Sequence, residues 1–167
     1  MYLNVNEAYS KFDSKLAKEE KNDCFVRSLA VASGSDYQTT HQFVKEEFGR
    51  EDKKGTQGFA IYANMLRYEE KGLQIGNVKC DVKVLGKSRI KNQYKLKGEI
   101  ILRQKTISSF IKDNPKGTYV VGVAGHALTI KDGEVFDWNA NKFKPTRKVQ
   151  SAYEIKSKKS EAQLSLF

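Results

Sequence analysis

The chain has 167 residues, 39% hydrophobic and 30% charged, with 30 Lys+Arg against 20 Asp+Glu and a formal net charge of +10. That length accommodates one domain with a core, and one Trp, eight Tyr and nine Phe are too many aromatic residues for a disordered chain. With only two Cys and two His, a disulfide framework and a Cys/His zinc site are excluded, and no apolar run suits a signal peptide or a membrane span. We therefore expect a soluble cytoplasmic protein without cofactor, metal or membrane contact, and the positive charge favours nucleic acid or an acidic protein as a neighbour.

The first half of the chain has the apolar spacing of three to four residues that is typical of helices. We expect a short amphipathic helix first, and then a buried helix that begins near Cys24 and ends at a glycine. Ser35 is expected to cap the next helix. The last of these helices is predicted to bury Phe59, Tyr62 and Leu66. In chain order, the predicted helices lie within residues 4–22, 24–34, 35–49 and 59–72.

Strand-like alternation replaces this spacing after residue 72. For the lysine-rich segment 79–105 we expect two or three strands or an exposed basic insert. A short helix at 106–112 ends before Pro115, because proline disfavours helical geometry in the residue before it. The run TYVVGVAGHALTI is the clearest strand signal, and Asp132-Gly133 predicts a tight turn into the strand EVFDW.

The order of these elements predicts the fold class. Because helices come first and strands second, we predict an α+β fold with N-terminal helices packed on a C-terminal antiparallel sheet. Residues 1–150 are expected to form this domain. Residues 151–167 are expected to form a flexible basic tail.

Two residues have the chemistry for nucleophilic catalysis. Cys24 is predicted at a helix N-terminus, where partial positive charge stabilises a thiolate, although a small cysteine packed in a core helix fits this position equally well. His126 follows Gly125, a residue that leaves open space beside the imidazole ring, within an apolar strand. A histidine there is costly to bury unless its ring nitrogens have partners.

The predicted hairpin supplies such a partner. If its turn has two residues, Asn139 lies opposite His126. Asp137 then lies opposite Leu128 and projects from the same face as His126. Either side chain could orient the ring, and we favour Asp137 because a carboxylate also stabilises an imidazolium. Together with Cys24, these groups have the types needed for nucleophile, base and orienter in acyl-transfer catalysis.

Three segments carry a family resemblance: NDCFVRSLAVASG, SSFIKDNPKGTYVVGVAGHALTI and KDGEVFDWN. A cysteine that opens a helix, a Gly-His on a later strand and an acid on the next strand resemble the papain-like cysteine peptidase superfamily. The closest likeness is to its compact bacterial and phage branch, related to the double-glycine leader peptidases, over residues 22–139. The resemblance implies a papain-like fold and a thiol protease. In it, Cys24 is the nucleophile, His126 the general base and then acid, and Asp137 the orienter.

The oxyanion donor departs from that family's pattern. Many members place a glutamine several residues before the cysteine, where this chain has Leu16, Ala17 and Lys18. We expect Asn22 to donate its side-chain amide instead, beside the backbone N–H of Cys24. Loss of such a donor typically costs roughly 10²–10³ in rate. A non-catalytic relative is therefore an open alternative.

The second cysteine and the second histidine are assigned to other roles. Cys80 lies in an alternating strand, where packing is the expected role. His41 is expected on the polar side of its helix, in contact with solvent. The glycines have no phosphate-loop spacing, so no nucleotide-binding motif is predicted.

The last five residues are Gln163, Leu164, Ser165, Leu166 and Phe167. They closely resemble the pentapeptide QL(S/D)LF by which bacterial polymerases and repair proteins bind the β sliding clamp. In that mode the glutamine hydrogen-bonds at the rim and the apolar side chains fill pockets. A chance match in the chain is expected only on the order of a few times in ten thousand. The resemblance implies the DNA polymerase sliding clamp as a partner, with DNA close to the basic segments.

These observations predict a papain-like cysteine protease or related thiol hydrolase, recruited to the sliding clamp of a bacterium or phage. Its substrate would be a replication-associated protein or peptide. The alternative is a non-catalytic clamp-binding protein, a replication inhibitor or adaptor, on the same scaffold. A DNA-binding accessory factor is a third interpretation.

Overall fold

The computed structural model describes residues 5–6, 14–86, 90–137 and 143–158. Helices from the first half of the chain pack against a mostly antiparallel sheet, so the α+β prediction is confirmed. The helices over these ranges are α1 Lys15–Glu19, α2 Cys24–Ser33, α3 Tyr37–Phe48, α4 Gly58–Lys71 and α5 Ile107–Asp113. The strands are β1 Val5–Asn6, β2 Leu73–Ile75, β3 Val78–Val84, β4 Lys91–Leu96, β5 Glu99–Gln104, β6 Thr118–Val123, β7 His126–Lys131, β8 Glu134–Phe136 and β9 Ser151–Lys158.

The main sheet has seven strands in the order β1-β8-β7-β6-β9-β3-β2. Only the pair β1–β8 is parallel. Buried apolar side chains fill both sides of the sheet, with α2, α3 and α4 over one side and α5 over the other. Strand β9 lies between β6 and β3, so the prediction of a tail from residue 151 is wrong over its first half. The remainder, residues 159–167, lies outside the described residues.

For residues 79–105 the first alternative, two or three strands, is confirmed, because β3, β4 and β5 lie there. Strands β2 and β3 belong to the main sheet, and the buried side chains of β3 include Cys80 and Val82. Only β4 and β5 form a separate two-stranded hairpin. The insert is therefore shorter than expected and corresponds to this hairpin.

Helix α2 is buried along most of its length and packs on β7. It ends at Gly34, whose positive φ of 78° allows the left-handed turn that closes the helix. The Ser28 and Thr129 hydroxyl oxygens are 2.8 Å apart, and Thr129 also donates to the Ser28 carbonyl oxygen at 2.7 Å. Because Ser28 is one turn after Cys24 and Thr129 is three residues after His126, these bonds bring the beginnings of α2 and β7 together.

Helix α4 buries a different face from the one predicted. Phe59, Tyr62 and Leu66 are 82%, 49% and 39% exposed, whereas Met65 and Tyr68 are buried. The helix carries two apolar stripes at helical spacing, and the stripe that includes Met65 and Tyr68 packs on the core. Within the described residues no helix, α4 included, has both the length and the apolar character needed to cross a bilayer.

Candidate active site

Cys24 is the first residue of α2, as predicted, and its thiol is free and partly exposed. The first N–H groups of a helix have no partner within the helix, and they give this end a partial positive charge that favours an anion. Cys80 differs in every respect. It lies within β3 and is 1% exposed, and burial raises the pKa of its thiol. The two cysteines thus have separate roles, and only Cys24 is accessible for chemistry.

His126 is the first residue of β7, and its partner is the one favoured from the sequence. Its Nε2 lies 2.6 Å from Oδ1 of Asp137, which directly follows β8. The turn at Asp132-Gly133 has the predicted two residues, both with positive φ, which is the geometry of a tight hairpin. Asn139, the other predicted orienter, lies outside the described residues.

The ring of His126 connects the carboxylate to the thiol. Hydrogen bonds to Asp137 first and to Cys24 second raise the pKa of His126 to about 9, against the opposing effect of burial. Since Nε2 is bonded to Asp137, the nitrogen available to the thiol is Nδ1. With a pKa of about 9, the His126 ring carries a positive charge at neutral pH.

Cys24 and His126 open into the same cavity, which has a volume of about 500 Å³. Ile61 from α4 contributes an apolar wall, and Gln150 contributes a polar one. Asp137 is not part of the lining and is 5% exposed. The arrangement leaves the thiol open to a bound molecule while the carboxylate stays behind the imidazole ring.

Asn22, the expected oxyanion donor, also lines the cavity, but its amide has another partner. Its Nδ2 donates to the carbonyl oxygen of Lys53 at 3.0 Å. Asn22 itself has a positive φ of 52°, a conformation that asparagine tolerates better than most residues. An amide nitrogen carries two hydrogens, so this bond leaves one of them for a ligand.

A buried ion pair that was not predicted holds the residue before the nucleophile. Oδ2 of Asp23 accepts from Nε of Arg27 at 2.8 Å and from the hydroxyl of Tyr37 at 2.6 Å. Arg27 also donates to the carbonyl oxygen of Ala17 at 2.8 Å. The sequence signal is the spacing of four between Asp23 and Arg27, which is typical of ion pairs on a helix. This pair anchors the start of α2 to α1 and α3.

The prediction of a solvated His41 is wrong. His41 is buried, and its Nε2 lies 2.6 Å from Oε2 of Glu20. Nη1 of Arg50 joins them at 3.2 Å from each of these two atoms. Burial opposes the ionisation of Glu20, but hydrogen bonds from Arg50, the Lys21 N–H and His41 outweigh it and lower the pKa of Glu20 to about 2. These charged residues can be buried in the core because each of them has a partner that offsets the cost of its burial.

The same cluster contains side chains of the types that bind metal ions. One ligand atom from each of Glu20, His41 and Asp52 lies within 4.8 Å of the others. The guanidinium of Arg50, however, already contacts the Glu20 and His41 atoms, so a cation fills the position that a metal would need. The cluster instead supports the cavity wall, because Oε1 of Glu20 accepts from the Lys53 N–H at 2.7 Å and the Lys53 carbonyl holds Asn22.

The residues brought together here have the chemistry that acyl transfer uses. A thiol and an imidazole line one cavity, and the carboxylate of Asp137 holds the imidazole ring. Asn22 and the first N–H groups of α2 are the candidate donors for an oxyanion. These assignments depend on the geometry of this chain alone, because no protein-family model, no curated protein and no solved structure matches it.

Proposed function

We propose that this chain is a cysteine hydrolase of the papain-like type, a protease that cleaves a peptide or isopeptide bond in the cytoplasm. The observation that carries the proposal is that Cys24, at the start of a helix, and His126, held by Asp137 at 2.6 Å, line the same open cavity. The His41–Glu20 pair is buried, and neither of its residues lines this cavity.

The reaction follows from these positions. The Cys24 thiolate attacks the carbonyl carbon, and the negative charge that develops on the carbonyl oxygen is stabilised by N–H donors at the start of α2. The His126 imidazolium then gives its proton to the leaving amine nitrogen as the C–N bond breaks, which leaves a thioester on Cys24. His126, now neutral, takes a proton from water, and the resulting hydroxide oxygen attacks the thioester and releases the acid.

The proposed partner is the β sliding clamp of a bacterium or phage. Gln163, Leu164, Ser165, Leu166 and Phe167 lie outside the described residues, so their sequence alone supports this proposal. A tether of this kind would hold the hydrolase beside duplex DNA, where a net charge of +10 is favourable. The substrate would then be a protein at the replication fork.

Cleavage of purified clamp and replisome proteins tests the catalytic proposal, with Cys24→Ala as the variant. Because the variant lacks the nucleophile, we expect its cleavage rate to be lower than that of the intact protein by a factor of roughly 10⁴ or more. Cys80→Ala is the matched control, because it removes the other thiol away from the cavity. Cleavage that persists in Cys24→Ala at the rate of the control would rule the proposal out.

Deletion of residues 163–167 tests the clamp proposal separately. We expect the affinity for purified clamp to fall to background in a direct binding measurement, while Cys24 keeps its reactivity toward iodoacetamide. Undiminished clamp binding would contradict the tether and leave the catalytic proposal standing.

A non-catalytic clamp-binding protein on the same scaffold is the second candidate. The observation in its favour is the bond from the Asn22 amide to the Lys53 carbonyl, which engages the side chain expected to stabilise an oxyanion. This candidate predicts tight clamp binding with no cleavage of any replisome protein, by the intact chain or by Cys24→Ala.

A further inference from the structure

The β4–β5 hairpin has an unusual concentration of exposed apolar side chains. Among its residues, Tyr94, Leu96, Ile100 and Leu102 are 46%, 50%, 70% and 53% exposed. Isolated apolar residues on a surface are common, but a cluster of large ones often marks a binding site. A two-stranded hairpin is also only marginally stable by itself, so this element has more to gain from a partner than the main sheet has.

The register of the hairpin divides these side chains between two faces. Gln93 pairs with Leu102 and Lys95 pairs with Ile100, so these residues project from the same side. On the opposite side, the guanidinium of Arg103 lies 5.6 Å from the centre of the Tyr94 ring. We call the first side the docking face, and its residues are Lys91, Gln93, Lys95, Ile100, Leu102 and Gln104.

The docking face borders a groove that shares one lining residue with the candidate active site. This groove is a cavity of about 560 Å³, lined by Lys91, Leu102 and Gln104 of the docking face, by Ile90 and Arg103 beside them, and by Lys148 and Gln150. Gln150 also lines the cavity that contains Cys24 and His126. The two cavities therefore approach each other at Gln150, which is the residue between the docking face and the thiol.

The charge of the hairpin indicates what it binds. Between residues 90 and 105, the one acidic residue, Glu99, pairs with Leu96 and projects from the side opposite the docking face. The docking face holds two lysines and no carboxylate, and Arg103 and Lys148 add two further positive charges to the groove. Its apolar groups, Ile100 and Leu102, are aliphatic. Aliphatic side chains fill apolar pockets in protein partners, whereas base stacking needs aromatic or guanidinium planes.

We propose that the hairpin is a docking surface for the substrate protein, and that it binds an acidic segment with alternating apolar residues. Among the described residues β4 and β5 pair only with each other, so the second edge of either strand offers such a segment the hydrogen bonds of an added strand. The part of the same polypeptide beyond Gln150 then enters the Cys24–His126 cavity. This inference rests on the proposed hydrolase function, and it adds the chemical class of the substrate.

Fluorescence anisotropy with defined peptides tests the proposal. The probe is a fluorescein-labelled peptide of alternating glutamate and leucine, compared with its lysine–leucine counterpart. We expect the acidic peptide to bind the intact protein at least tenfold more tightly than the basic one. The double variant Ile100→Ser, Leu102→Ser should bind the acidic peptide about tenfold more weakly.

The double variant Lys91→Glu, Lys95→Glu should lose affinity for the acidic peptide by a similar factor, and the affinity that remains should depend less on salt. Leu96→Ser, on the opposite face of the same hairpin, is the matched control and should change the affinity less than about twofold.

Three outcomes would overturn the docking proposal. They are equal binding of the two peptides, unchanged affinity in the Ile100→Ser, Leu102→Ser variant, and displacement of the acidic peptide by a single-stranded oligonucleotide at lower concentration. The third would identify a nucleic-acid surface instead. Circular dichroism verifies that each variant is folded, so a loss of binding reports on the surface.

The catalytic proposal fails on a different measurement. If Cys24→Ala still cleaves substrate, the hydrolase function is wrong, and the docking proposal, which rests on it, falls with it. If only the peptide measurements fail, Cys24→Ala still loses cleavage, and only the substrate class is wrong. Slower alkylation of Cys24 by iodoacetamide in the presence of the acidic peptide supports a groove that connects the two cavities, and an unchanged rate counts against it.

Discussion

Two histidine–carboxylate contacts in this molecule have the same distance, but one lies at a cavity and the other lies in the core. Nε2 lies 2.6 Å from a carboxylate oxygen both in His126–Asp137 and in His41–Glu20. The His126 side chain is 22% exposed and lines a cavity together with the thiol of Cys24. The His41 side chain is 6% exposed and contacts a guanidinium, that of Arg50. A short histidine–carboxylate bond is therefore not evidence of catalysis by itself.

The third partner and the access to solvent separate the two roles. In the His41 pair, Arg50 neutralises the carboxylate within the core, and the result is a buried cluster that joins Glu20 to the loop containing Lys53. In the His126 pair, the third group is the Cys24 thiol, which faces the same cavity and which we propose as the nucleophile. The first arrangement stabilises the fold, and the second leaves one ring nitrogen available for proton transfer.

Asp137→Asn should change the rate of hydrolysis more than any other substitution that distinguishes the two histidine–carboxylate pairs. An amide keeps the shape of the carboxylate but loses its charge, so it orients the ring without stabilising the imidazolium. We expect hydrolysis to fall by roughly 10²- to 10⁴-fold. Single-turnover kinetics on the replisome substrate measure this loss. A variant with unimpaired hydrolysis would assign Asp137 to a structural role like that of Glu20.

The pH profile of the same variant adds a readout that a structural role would not change. Asp137 is the largest cause of the rise in the His126 pKa from 6.5 to about 9. The leaving amine needs the imidazolium proton, so the rate of hydrolysis by the intact protein should decrease as pH rises through about 9. In Asp137→Asn the same decrease should occur at a lower pH. Because the pKa is raised on folding, the pair stabilises the fold fully below pH 6.5 and loses that contribution as pH rises through about 9.

Glu20→Gln should have the opposite effect to Asp137→Asn. The free energy of unfolding should fall strongly, while the rate of hydrolysis should change little. The substitution leaves Arg50, whose side chain is buried, without its carboxylate. Removal of one partner from a buried ion pair costs about 3–5 kcal/mol in the free energy of unfolding. Urea denaturation measures this change, and hydrolysis per folded molecule should remain within about tenfold of the intact protein.

Glu47→Gln is the matched control for Glu20→Gln. Glu47 pairs with Arg67 at 3.5 Å, and both side chains are substantially exposed. A pair of this kind contributes about 0–1 kcal/mol, so the control should unfold at nearly the same urea concentration as the intact protein. Equal destabilisation by the two substitutions would mean that the Glu20 cluster contributes no more than a surface contact.

Much of the fold could be predicted from the sequence because its signals are local. The glycine at the end of α2 and the two-residue turn before β8 follow from conformations that particular residues adopt. The exposed face of α4 and the central position of β9 could not be predicted in this way. Phe59 and Met65 are equally apolar, and which of them is buried depends on how α4 meets β3, a contact between distant parts of the chain.

The candidate site also has residues that could be predicted from the sequence and residues that could not. The scarcity of Cys and His singled out Cys24 and His126, and the register of one hairpin identified Asp137. The cluster around Glu20 was missed because its members are far apart in sequence. His41 is 21 residues from Glu20 and Arg50 is 30 residues from it, and no periodic pattern relates them.

Asn22→Ala gives the smallest expected effect and tests the part of the site that connects the two histidine pairs. The Glu20 cluster holds Lys53, and the Lys53 carbonyl holds the Asn22 amide at the cavity. If that bond is the main role of Asn22, its loss should cost about 1 kcal/mol in the free energy of unfolding and less than about tenfold in hydrolysis. A loss of roughly 10²–10³ in hydrolysis with unchanged stability would show instead that the second N–H of the amide stabilises the oxyanion. In that case the Glu20–His41–Arg50 cluster would act on catalysis through Lys53, since it fixes the direction of the amide that the transition state needs.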